Sequence, residues 1–156
     1  MAQKLILFIH LIGFGLLVTV QIAGFVLEMR YRKAPDLTTK ALILGLLKPF
    51  GILGPIAVLI MLSSGIGNMV MLGLGLLSEG WLTAKIIFFA LAAVAGFISG
   101  MRSRERGALI RRMARGEAPP DAGTRLRGLE KQVSWSYVVM PVLLVIILAL
   151  TLSRDS

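Results

Sequence analysis

WLTAKIIFFALAAVAGFISGM runs from Trp81 to Met101 with a single charged residue, Lys85. A helix needs about 20 predominantly apolar residues to cross the hydrocarbon core of a bilayer, so the stretch predicts a membrane span. Three further runs are long and apolar enough, at residues 5–27, about 49–72 and 133–152. Of 156 residues, 56% are hydrophobic, which leaves little chain for a soluble domain. The expected fold class is therefore all-α: a polytopic membrane protein, one domain, four transmembrane helices in a bundle.

The formal net charge is +9. The basic residues flank the spans instead of marking a separate patch, which argues for membrane topology and against nucleic acid as a partner. They concentrate in two connections, residues 28–48 and 102–132, whereas residues 73–80 carry no Lys or Arg. By the positive-inside rule the two basic connections lie in the cytoplasm and both termini outside, as in a bacterial inner-membrane protein with periplasmic termini. The first run ends at Glu28-Met29-Arg30 with no convincing small-residue cleavage site, so it is expected to persist as a first helix and not as a signal peptide. There is no cysteine, which removes disulfides, iron–sulfur clusters and thiolate metal sites.

Within the first span, His10, Phe14, Leu17, Gln21, Gly24 and Glu28 follow at steps of three and four and share one helix face. Polar groups in lipid need internal partners, so that face is expected to point into the protein. In the third span, Lys85, Phe89, Ala92, Gly96 and Ser99 share a face by the same spacing. Ala92, Gly96 and Gly100 form a small-residue series that lets another helix come close. Pro49 predicts a break or fresh start in the second span, and Pro35-Asp36 a helix start before it. Glu117-Ala118-Pro119-Pro120-Asp121-Ala122-Gly123 reads as a linker. Leu109, Ile110 and Met113 among Arg111, Arg112 and Arg115 read as a short amphipathic helix lying on anionic lipid.

The topology gives His10 and Lys85 a common depth. Each lies four or five residues inside the outer boundary, so at 1.5 Å per residue both are within roughly 10 Å of it. Two bases at one level of a bundle interior are suited to ligate a metal centre axially, with lysine losing its proton on burial. A haem is the natural occupant, because the spans hold too few His, Asp or Glu for a bare ion. Met61, Met69 or Met140 would be fallback ligands. The plainer alternatives are that His10 bonds a neighbouring helix and that Lys85 snorkels to the interface.

Several segments together resemble the HemJ-type protoporphyrinogen oxidases, or an uncharacterised four-helix membrane relative of them. The carriers are His10 early in the first span, Trp81-Leu82-Thr83-Ala84-Lys85 opening the third, Ala114-Arg115-Gly116-Glu117, and Pro141-Val142-Leu143-Leu144 in the last. The resemblance implies haem b held by His10 and Lys85 as axial ligands, and oxidation of a porphyrin substrate with a quinone as electron acceptor. Arg30 and Arg32 would be remote candidates for the propionates. Where that family carries a second histidine near the end of the first helix, this chain has Arg30-Tyr31-Arg32. Ser134-Trp135-Ser136-Tyr137 stands in place of its Asn-Glu pair. The resemblance therefore reaches the haem site more directly than the oxidase activity. The competing expectation is a non-catalytic accessory subunit of a larger respiratory or photosynthetic complex, or a homo-oligomer, packed through small-residue faces. A transporter or channel subunit ranks last, because intramembrane charge is so sparse.

Overall fold

A computed structural model describes residues 1–75 and 79–152, apart from the side chain of residue 152. The chain forms α1 (Ala2–Lys33), α2 (Leu37–Leu47), α3 (Phe50–Met71), α4 (Gly80–Ala114) and α5 (Ala122–Leu152), with no strand among the described residues. Four helical stretches are long and apolar enough to cross a membrane: α1, α2 continued by α3, α4, and α5. The protein is an all-α membrane bundle. Part of the glycine-rich connection (residues 76–78) and the C-terminal residues 153–156 lie outside the described residues.

Each helix stops for a local reason. Pro35 disfavours the helical region for the residue before it, and Ala34 is extended with ψ 128°. Asp36 then caps α2, its carboxylate accepting from the Thr39 N–H at 2.7 Å and from the Thr39 hydroxyl at 2.8 Å. A turn at Lys48-Pro49 separates α2 from α3, where the proline was expected to break the span. The ends of α3 and α4 are built alike. Gly73 at φ +65° and Gly116 at φ +76° take the left-handed conformation that closes a helix. The paired bonds Gly73 N–H to Val70 O and Leu74 N–H to Met69 O satisfy the last carbonyls of α3. Gly116 to Met113 and Glu117 to Arg112 do the same for α4.

Packing divides the spans into two pairs. α1 lies along α3, and α4 lies along α5, while α2 touches α1 and α4 at the basic end. Close approach depends on missing side chains. A Cβ on Gly13 would stand 2.8 Å from Ile60 Cγ2 and 3.2 Å from Met61 Cγ, and one on Gly24 would stand 3.0 Å from Tyr137 Cε1. The small-residue face of α4 is used within the chain: Ala92 is buried and Gly96 receives the Met140 methyl.

The basic end differs from the sequence expectation. α4 continues unbroken through residues 102–114, and α5 begins at Ala122, inside the segment read as a linker. Leu109 and Ile110 do not lie on lipid. They are buried with Tyr31, Leu44, Ala122, Leu126 and Leu129 in a core shared by α1, α2, α4 and α5. Met113 packs against it. The physical reason is that α5 starts early and α2 crosses over, so the apolar side of this charged stretch has protein to bury against.

Candidate functional site

At the end of the bundle where α1 begins, the inward face of α1 presents His10 to α3. Its Nδ1 lies 2.9 Å from Ser64 Oγ. The Ser64 hydroxyl already donates to the Ile60 carbonyl one turn back, so it meets the imidazole with a lone pair. With Nδ1 as the donor to that lone pair, Nε2 would keep its own, and a ring held through one nitrogen is the arrangement by which proteins orient metal-binding histidines. The Met61 carbonyl and the Lys85 side chain both bear electrostatically on the same ring. Lys85 itself is half-buried on α4, on the face that carries Ala92 and Gly96 inward. Ser99, two turns past Ala92 on this face, donates to Ser136 of α5 at 2.7 Å.

The other candidates from the sequence fall elsewhere. Met61 and Met140 are buried as packing residues, against Gly13 and Gly96. Arg30 and Arg32 are exposed at the far end of α1. Twenty residues of helix separate Arg30 from His10, roughly 30 Å, so neither arginine belongs to the His10 end. Gln21 lines an apolar groove of about 440 Å³ between α1 and α5, together with Phe14, Phe25, Tyr137 and Pro141. Among the described residues, no group of three or more His, Asp or Glu side chains comes together to hold a bare metal ion.

Sequence reasoning missed the second polar centre, at the basic end. Arg106 of α4 is fully buried and grips Glu28 of α1 through both terminal nitrogens, at 3.0 and 2.8 Å. The Tyr31 ring lies over the guanidinium, 4.3 Å from its carbon to the ring centroid. The Tyr31 hydroxyl donates to Glu130 Oε1 at 2.7 Å, and Lys40 reaches the same oxygen at 3.3 Å. One network therefore ties α1, α2, α4 and α5 together. The signal in the sequence was Glu28, the one acid on the inward stripe of α1, which needed a cation somewhere in the chain.

Fold and site together define a polytopic membrane four-helix bundle with a polar centre at each end. Comparison with protein-family models, with curated proteins and with solved structures finds no match.

Proposed function

We propose that this chain is a haem-b-binding redox protein of the bacterial inner membrane, with its basic end in the cytoplasm and its termini on the periplasmic side. The observation that carries the proposal is the hydrogen-bond chain from His10 through Ser64 to the Ile60 carbonyl. With the proton on Nδ1, this hydrogen-bond chain orients the ring and Nε2 would be the atom that meets the iron. Lys85, in electrostatic reach of that ring, would be the second residue to hold the iron, its amine binding as the neutral base. Haem, when bound, supplies one-electron chemistry. The chain's own residues orient the ligands, surround them with apolar helix, and keep the charged network at the opposite end. In its strong form the activity is oxidation of a porphyrin substrate, with electrons passed to a quinone.

The test is stoichiometric. Protein purified in mild detergent from cells supplied with haem precursors is expected to carry about one haem b per chain by the pyridine haemochrome assay. A folded protein without haem overturns the proposal and favours the accessory-subunit alternative, for which co-purification with a larger complex is the check.

A further inference from the structure

A second, polar pocket of about 260 Å³ opens at the basic end, lined by Glu28, Arg32, Lys40, Glu130, Lys131 and Ser134. Its two carboxylates are already engaged. Both oxygens of Glu28 accept from Arg106, and Glu130 Oε1 accepts from Tyr31 and Lys40. The donors are not matched in the same way. Arg32 makes only a 3.5 Å contact with Glu28, and it is exposed. Lys131 and Ser134, one helical turn apart on α5, contribute an ammonium and a hydroxyl to the lining with no acceptor among the described contacts. The pocket therefore offers charged donors in excess of acceptors, which is the requirement for an anion.

Its position narrows the anion. Glu28 directly follows the apolar run of α1, and Val133 opens that of α5, so the pocket sits where the spans meet the headgroup layer. Trp135, beside Ser134, is 60% exposed, as an indole at a membrane interface is. Anionic headgroups are drawn to basic side chains at this depth. We propose that the pocket binds the phosphate of an anionic lipid headgroup, with Arg32, Lys131 and Ser134 as its donors. This is independent of haem binding, and it gives the basic end a ligand of its own.

The test is native mass spectrometry of the full chain in mild detergent, titrated with phosphatidylglycerol or phosphatidylcholine. Phosphatidylglycerol is expected to be retained at about tenfold lower concentration. The preference should vanish in Lys131→Ala/Ser134→Ala and persist in Lys131→Arg/Ser134→Thr, with helix content by circular dichroism unchanged in both. Equal retention of the two lipids, or a preference that survives the alanine pair, overturns the proposal. Inorganic phosphate that displaces phosphatidylglycerol completely at millimolar concentration would make free phosphate the ligand and overturn the assignment to lipid.

Discussion

Arg106 and Glu28 stand 78 residues apart in sequence and form a two-pronged ion pair from which solvent is shut out, with both side chains at most 3% exposed. The pair joins α4 to α1, and so links the α4–α5 pair to the α1–α3 pair. Arg106 Nε is left buried without a partner, so the site depends on the two bonds that are made.

Removing one partner leaves the other as an uncompensated buried charge, at a cost of about 3–5 kcal/mol. Glu28→Gln and Arg106→Ala are each expected to lower the detergent-resistant unfolding midpoint sharply. The double variant Glu28→Leu/Arg106→Met should recover much of the loss, since apolar replacement of a whole pair is often near neutral. A double variant as unstable as the sum of the singles would show that the two residues contribute independently and not as a pair.

Gly13 and Gly15 make a matched comparison on one helix. Gly13→Ala brings a Cβ against Ile60 and Met61, and overpacking of this kind costs about 1–3 kcal/mol. A Cβ on Gly15 meets nothing within 4 Å. Gly15→Ala is expected to be neutral or stabilising, by up to about 1 kcal/mol of helix propensity. Thermal unfolding of the two variants in the same detergent checks the contrast, and Ile60→Ala should partly rescue Gly13→Ala.

Asp36 gives the fold a pH dependence of known sign. The Thr39 N–H and hydroxyl bonds hold its carboxyl below the usual carboxylate range. A depressed folded pKa means that the contribution is complete above the unfolded value of about 4 and is lost as pH falls through the folded value. Hydrogen-exchange protection at the start of α2, relative to the intrinsic rate at each pH, should therefore fall on acidification below about pH 4. In Asp36→Ala that protection should be low at every pH.

Ser64 orients the His10 ring through Nδ1, at 2.9 Å. Ser64→Ala is expected to keep the fold, at a cost of about 0.5–1.5 kcal/mol for the lost bonds. Bound haem should fall in occupancy or show a broadened Soret band, while Ser64→Thr should restore both. Ser63 serves as the control, because its hydroxyl bonds only its own helix at Leu59 and Ile60.

The spans were legible in sequence because apolar runs of sufficient length have one outcome in a chain this hydrophobic. The break at Pro49 and the inward stripe from His10 to Glu28 were legible for equally local reasons: a missing N–H, and a spacing of three and four. The basic end was not. Its charge density pointed to an interfacial helix, and the pairing that allows Arg106 to be buried is a property of two helices, not of either one. Leu126, Leu129 and Val133, at steps of three and four, were the signal that α5 begins before its apolar run. The common depth of His10 and Lys85 was an expectation from topology alone, and the partner of His10 was not legible, since Ser64 is one of two adjacent serines on α3 and only the packing of α1 against α3 selects it.

The central claim is ligation of haem by His10 and Lys85, and the absorption spectrum tests it most directly. The wild-type chain, His10→Ala and Lys85→Ala should be purified with haem precursors supplied and recorded oxidised and dithionite-reduced. A Soret band in the wild type that is lost in His10→Ala, and lost or shifted in Lys85→Ala, is the predicted result. A folded but colourless wild type, or a Soret band unchanged in both variants, would contradict it.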